Sequence, residues 1–490
     1  MSLSTALSTA QSIFNNTGIQ TSVTSTNISN AQNANYVKRT AVLTTAGNGA
    51  QVALTERSQN TSLLRQFVES NSIASGQTRL LSGLQEIRDI MGGNDYENAM
   101  STRLGTLFNK LQSYAGSPSS STFASSVVSS AQDAVDTLNN TSQEVQNIRT
   151  RADAEIKLQV DKLNGLLQQF EAANNQVVGA NVTGGDPNNA LDTRETLLKQ
   201  ITDIVGVSTV TREHGDMALY TSDGTVLFEK QARTVSFAPT QTYDAKTTGN
   251  SIFIDGVVVP TGNGGDTTAN GKLQALLQIR DDIAPKFQSQ LDEIARGMIV
   301  SFAETGPDGT LPAKAGLFTN GVDDTVDTTG TVVAGLAYTI SVNKAVKDKP
   351  SLLRDGGIND DDGNPATPSA YIVNTKGDAG YSKLLDKYAQ NMKAPLTVDP
   401  ATDIGGTTSL MSLSSNSASW LETLRSTATS ANETKSAMQT RAQEAYSSKT
   451  GVSLDEELSL LLDIEQSYKA ASKLVTTIDE MLKSLLSSVG

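Results

Sequence analysis

Apolar residues recur at helical spacing at both ends of the chain. Leu3, Ala6, Leu7, Ala10, Ile13 and Phe14 fall on three- and four-residue steps, the spacing that lays one apolar stripe along a helix. Beyond Phe14 the same face carries Thr17, Thr21, Thr24 and Ile28. A helix with so small and polar a face is marginal by itself, so Met1 to about Asn35 is expected to be disordered in the free monomer. At the far end Leu454, Leu458, Leu461, Tyr468, Val475, Leu482 and Val489 form a seam close to period 3.5, with Leu485 beside it. Asp455, Glu456 and Glu457 open that helix and Lys469, Lys473 and Lys483 follow, an order that suits the helix dipole.

Between the ends the 3.6 period predicts helices over Thr61 to Met91, Asn98 to Tyr114, Thr122 to Gln176, Asp192 to Val205, Leu273 to Phe302 and Ser409 to Ser447. From Gly206 the period changes to two. Met217 to Tyr220 and Val226 to Phe228 flank Asp223-Gly224, and Ser251 to Ile254 meets Val257 to Val259 across Asp255-Gly256, both hairpin signatures. Gly306 to Asp403 again collects turn residues around expected strands at Tyr338 to Val342 and Ala370 to Val373.

The nested order predicts an α+β, multidomain fold. Its terminal helices pair in a coiled-coil-like stalk, a long helical bundle follows, and β-rich portions are inserted outward. The expected division is 1–48 with 450–490 as the terminal helical unit, 49–205 with 272–303 and 404–449 as the bundle, and 206–271 with 304–403 as the β-rich outer part.

Composition narrows the chemistry. Across 490 residues there is no cysteine and one histidine, which removes disulfides, thiolate nucleophiles and two-histidine metal sites. The net charge of -14 disfavours nucleic acid and anionic lipid as partners. The N-terminal segment lacks the charged and apolar regions of a secretory leader, and no apolar run is long enough for a membrane span. His214 reads as a polar turn residue, since no Gly-x-Ser-x-Gly elbow accompanies it. Asn359 to Asn364 resembles a calcium loop, but Ile358 stands where the first carboxylate belongs, so a solvated turn is expected. The glycines from Gly262 to Gly271 fail as a phosphate loop at Asp266 and Leu273. Asp281-Asp282 and Asp323-Asp324 read as surface charge. No catalytic, metal or cofactor-binding residue is assigned, and no cofactor is expected.

The segment from Asn27-Ile28-Ser29-Asn30 to Tyr36-Val37-Lys38-Arg39 resembles the N-terminal signature of bacterial flagellar rod, hook and hook-associated proteins. Gly451 to Glu457, continuing through Gln466 to Ala471, is similar to the C-terminal block of the hook-associated protein 1 family, the hook-filament junction proteins. Leu191 to Leu198 and Gly271 to Asp281 look like internal helices of that family. The resemblance implies a non-enzymatic structural part of the external flagellum at the hook-filament junction, secreted through the flagellar type III system. Its implied partners are further copies in a ring, the hook protein and other hook-associated proteins. The C-terminal helix, whose apolar seam must be covered before assembly, is expected to bind an export chaperone. The assembly and chaperone surface is expected at Leu3, Leu7, Ile13, Phe14, Asn27, Ile28, Asn30, Tyr36, Leu454, Leu458, Leu461, Tyr468, Val475, Leu482 and Leu485. The alternatives are another axial flagellar protein, such as the third hook-associated protein or a flagellin-like chain, or a secreted adhesin or hydrolase carried on the β-rich portions.

Overall fold

The computed structural model describes residues 3–33, 35–46, 49–359 and 368–489. The chain begins with α1 (Leu3–Ser29) and a two-stranded antiparallel hairpin, β1 (Arg39–Ala46) and β2 (Gly49–Arg57). Then come α2 (Thr61–Ile90), α3 (Met100–Gly116), α4 (Ser121–Thr183) and α5 (Asn188–Ile204). Side-chain oxygens cap two of these starts, Asn60 on the amide of Leu63 and Ser120 on that of Phe123. Two three-stranded antiparallel sheets follow. The first is β3 (Val207–Thr211), β4 (Met217–Thr221) and β5 (Val226–Phe228), and the second is β6 (Val235–Ser236), β7 (Phe253–Ile254) and β8 (Val257–Val258).

Next, α6 (Lys272–Gln278) runs through a π-helical turn, Ile279–Ile283, into α7 (Ala284–Ser301). The segment beyond holds β9 (Phe318–Thr319), α8 (Leu336–Thr339), β10 (Ser341–Val342), α9 (Lys344–Asp348), α10 (Leu352–Asp355), α11 (Lys383–Asn391), β11 (Leu396–Val398) and β12 (Gly406–Thr408). The chain closes with α12 (Leu410–Thr450) and α13 (Leu454–Val489).

α4 is the backbone of the body: its 63 residues span about 95 Å at 1.5 Å per residue. Its first half lies in one apolar core with Leu84, Leu104, Leu111, Phe287, Phe302, Phe318 and Tyr388. Its second half lies in another with Leu198, Ile201, Leu219, Phe228 and Leu276. Aromatic edges fix both, Phe302 against Phe318 at 5.2 Å and Phe170 against Phe228 at 5.3 Å. Gly271 joins α2, α5 and α6. Its φ is 91°, its N–H donates to the Ser72 carbonyl at 2.9 Å, and a Cβ there would stand 2.5 Å from the carbonyl oxygen of Ile204.

The expected helices and both expected hairpins form, the second turning through Asp255 (φ 49°) and Gly256 (φ 81°). Three expectations need correction. Arg39–Arg57, which has no expected element of its own and straddles the boundary placed at residue 48, is a β-hairpin. The stretch after Gly306 is poor in strand among the described residues: Leu336–Thr339 is a helical turn with just Ser341–Val342 of the expected strand after it, and near Ala370 to Val373 the described residues form a single bridge, between Gly356 and Ile372. Buried carboxylates take the amides there. Asp292 accepts from Gly335 and Ala337, and Glu304 from Ile358 and Asn359, so side-chain caps replace ladder bonds. The third correction is order at the start: α1 is one continuous helix, because α13 supplies the partner face that its own sequence lacks. The calcium-like turn at residues 360–364 lies outside the described residues. Among those residues no group of three or more potential ligands could hold a metal, and no helix is long and apolar enough to cross a membrane.

Candidate functional site

α1 and α13 run antiparallel, since Phe14 meets Tyr468 edge-on at 5.0 Å while the later residue Asn27 meets the earlier Glu457. Their contact repeats every seven residues. Glu457, Ile464, Ala471 and Ile478 are the buried residues of α13, and Ala10, Thr17 and Thr24 repeat likewise on α1. The seam expected from the sequence lies beside this stripe. Leu461 and Val475 are half-buried on its flank, whereas Leu454, Leu458, Tyr468, Leu482 and Leu485 are exposed. On α1, Leu3, Ile13, Phe14 and Ile28 are half-buried and Leu7 is exposed. Thus α1 covers one row of the seam of α13 and leaves Leu454, Leu458, Leu482 and Leu485 exposed, while Tyr468 touches Phe14.

The root of this pair is organised by Asn27, which is buried and uses both ends of its amide. Its Oδ1 accepts from the Tyr36 hydroxyl (2.7 Å) and the Arg39 N–H (3.1 Å), while Nδ2 donates to the Arg39 carbonyl (2.8 Å) and to Glu457 Oε2 (3.0 Å). One side chain thereby closes the loop after α1, starts β1 and holds the first turn of α13. Lys38 adds a second link: its N–H donates to the Thr450 carbonyl at 2.8 Å, and Nζ lies 2.8 Å from Glu456 and 3.4 Å from Glu457. Burial pulls the Lys38 pKa down, but the two glutamates overcome it and leave it raised. Asn30 stays local, bonded to Thr26 and Ser29.

A charged clamp ties the hairpin to the body. Arg39 and Arg57 stand opposite each other across β1 and β2, where like charges repel. Both reach Asp192 on α5: Arg39 Nη2 lies 3.0 Å from Oδ2 and Arg57 Nε 2.7 Å from Oδ1. Arg57 Nη2 continues to Glu195 Oε2 at 2.5 Å, an oxygen that also accepts from Tyr446 of α12 at 2.7 Å. Burial raises the Glu195 pKa, yet Arg57 and Lys199 outweigh it and hold the carboxyl below its usual range. Burial and the same glutamate push the Tyr446 hydroxyl well up.

The structure therefore brings together Asn27, Tyr36 and the first turn of α13, brings Phe14 onto Tyr468, and leaves Leu7, Leu454, Leu458, Leu482 and Leu485 exposed. It adds Lys38, Arg39, Arg57, Asp192, Glu195, Tyr446 and Glu457 to the site. Asp192 and Glu195 sit in the internal stretch that resembled the family, without a stated role. The signal for the hairpin was Asn48-Gly49 between alternating residues flanked by Arg39 and Arg57. His214 is exposed in a turn, its carbonyl accepting from Asn181. Asp281 and Asp282 are ion-paired with Arg280 and Lys286. What these groups do is hold helices and strands in register.

The chain is similar to known flagellar proteins. Residues 84–315 match the family model described as flagellar hook-associated protein FlgK helical domain, and residues 443–488 match that described as flagellar basal body rod FlgEFG protein C-terminal. Flagellar hook-associated protein 1 of Bacillus subtilis is 23% identical over 91% of this chain and 87% of its own length. The Escherichia coli protein of that name is 22% identical over 65% of this chain and 59% of its own. The solved structure of the flagellar hook junction protein FlgK from Burkholderia pseudomallei aligns with a TM-score of 0.42 and 19% identity, covering 52% of this chain and 46% of that one.

Proposed function

This chain belongs to the flagellar hook-associated protein 1 family, and from that premise we propose that it is a structural subunit of the junction between hook and filament. In this reading the protein leaves the cell through the flagellar type III system and polymerises with copies of itself through its terminal helices. Units 1–48 and 450–490 line the inner tube, the helical body surrounds them, and the portions 206–271 and 304–403 face outward. Hook protein and other hook-associated proteins are its axial neighbours, and a cytoplasmic chaperone covers α13 before export.

One observation supports this most: beside the row of α13 that α1 covers, Leu454, Leu458, Leu482 and Leu485 stay exposed in a row along the helix. A row of that kind on a single chain marks a surface awaiting another helix. The chemistry is that of assembly rather than turnover. Electron microscopy of a strain lacking the gene tests it. Hooks without attached filaments, restored by the full chain, are expected; a strain that keeps filaments firmly on its hooks overturns the reading.

A further inference from the structure

A cleft of about 710 Å³ opens where β2, the C-terminal end of α4, α5 and β4 converge, beside the charged clamp. Its walls carry Leu54, Leu64, Val177, Leu198 and Met217. Arg194 lines it and is only 6% exposed. Its Nη1 is spent on two neutral acceptors, the Asn174 amide oxygen at 2.9 Å and the Gly215 carbonyl at 2.6 Å. Among the described residues Nε and Nη2 meet no acceptor, and neither is a buried orphan, so both touch solvent.

The nearby carboxylates are otherwise engaged. Asp216, the carboxylate that favours the charge of Arg194 most, accepts from Asn174 and faces Arg212, Glu195 binds Arg57 and Tyr446, Asp186 accepts from the amide of Asn188, and Glu56 stands exposed. A guanidinium sealed on most sides, with Asp216 and Glu195 near it but no carboxylate bonded to it among the described residues, is a costly arrangement that an incoming anion would relieve; burial has brought the Arg194 pKa down to about 10, although Asp216 and Glu195 oppose the shift.

The same level of the molecule presents the complement. Tyr446, on the cleft wall, precedes α13 by eight residues, and the first turns of α13 expose Leu454, Asp455 and Leu458. Among the described residues no cation pairs with Asp455. We infer that, in the assembled ring, the cleft of one copy receives the first turns of α13 from a neighbouring copy, with Asp455 on Arg194 and Leu454 and Leu458 against the apolar walls. This is a heterologous contact, cleft to helix around the ring, which a cyclic assembly can repeat until it closes. It rests on the junction reading above and names the partner surface within it.

The chain lacks cysteine, so paired thiols report on this contact alone. Gln59→Cys places a thiol at the cleft and Ser459→Cys places one a turn beyond Asp455. Treating cells that carry the doubly substituted protein with a short bis-maleimide should give a ladder of covalent multimers. Co-expressed single variants should give dimers joining one of each. Asp455→Arg, at an exposed site, should leave the circular dichroism of the monomer unchanged and lower the fraction of hooks with filaments by about tenfold, while Asp455→Glu restores it. Junctions that form normally in the cysteine variants but yield no ladder, with Asp455→Arg cells swimming as wild type, overturn this contact and leave the junction reading intact. A wild-type protein absent from hook-filament junctions by immunogold labelling overturns both.

Discussion

Asn27 and Glu457 are 430 positions apart in the chain and 3.0 Å apart in space, joined by a buried amide-to-carboxylate hydrogen bond. The two terminal stretches whose residues resemble flagellar axial proteins are thus two halves of one joint. That joint sets where the α1–α13 pair leaves the body.

Replacing Asn27 tests the joint directly. Asn27→Ala strands the Tyr36 hydroxyl, the backbone of Arg39 and one oxygen of Glu457, a loss of about 3 kcal/mol at roughly 1 to 3 kcal/mol per unsatisfied buried group. Amide exchange in α1 and the first turns of α13 should then accelerate by about a hundredfold, with α4 unaffected. Unchanged protection in α1 would show that Asn27 does not hold the pair.

The clamp predicts an asymmetry between arginine and lysine. Arg57 spans Asp192 and Glu195 with separate nitrogens, which one ammonium cannot do. Arg57→Ala should destabilise the protein by about 3 to 5 kcal/mol, because buried Glu195 loses its main counter-charge. Arg57→Lys should recover less than half of that, and Tyr446→Phe should cost about 1 kcal/mol. Urea melts monitored by circular dichroism decide it; full rescue by lysine would mean that bidentate geometry is unimportant here.

A pH effect of unusual sign belongs to Asp292. Burial pushes its carboxyl up from 3.8 to about 6, although Gly335, Ala337 and Gln288 donate to it. A carboxyl raised on folding contributes stability that is complete below pH 3.8 and is lost as pH rises through about 6. The lost contribution is about 3 kcal/mol, at 1.36 kcal/mol per pH unit. Asp292→Asn, which cannot ionise, should remove this component, so the difference in urea midpoint between wild type and variant should change between pH 4 and 7. A constant difference across that range would contradict it.

Much of the helical plan was legible because it rests on period alone: the expected helix over Thr61 to Met91 is observed as Thr61–Ile90, and Ser409 to Ser447 as Leu410–Thr450. Period could not show which face of α13 meets α1. Leucines at 454, 458, 461 and 482 outweigh Ile464, Ala471 and Ile478 in any hydrophobic count, yet the smaller set is buried, because α1 presents Ala10, Thr17 and Thr24 and its helix packs closely only on a slim stripe. Nor could period find the clamp. Arg57, Glu195 and Tyr446 converge from three elements, and a charged residue alone in a sequence reads as solvated surface. The strand-poor stretch after Gly306 was misread for a related reason: turn residues there mark caps on Asp292 and Glu304 rather than ladders.

The covered row of α13 and its exposed leucines should separate by mutation. Ile464→Asp with Ile478→Asp places carboxylates in the α1 contact, where each lost side chain removes about 2 kcal/mol of burial and an unpaired buried charge adds a larger cost. The free monomer should then lose helical signal from both ends. Leu458→Asp with Leu482→Asp alters positions that are 50% and 43% exposed, so the monomer should keep its helicity and its melting behaviour. If these exposed leucines belong to the assembly and chaperone surface, this second variant should fail in a chaperone pull-down and leave cells non-motile although its fold is intact. Lys473→Gln with Lys483→Gln, also exposed but polar, should swim normally. Normal swimming by the Leu458→Asp, Leu482→Asp variant would assign polymerisation to another surface and leave the exposed leucines of α13 without a partner.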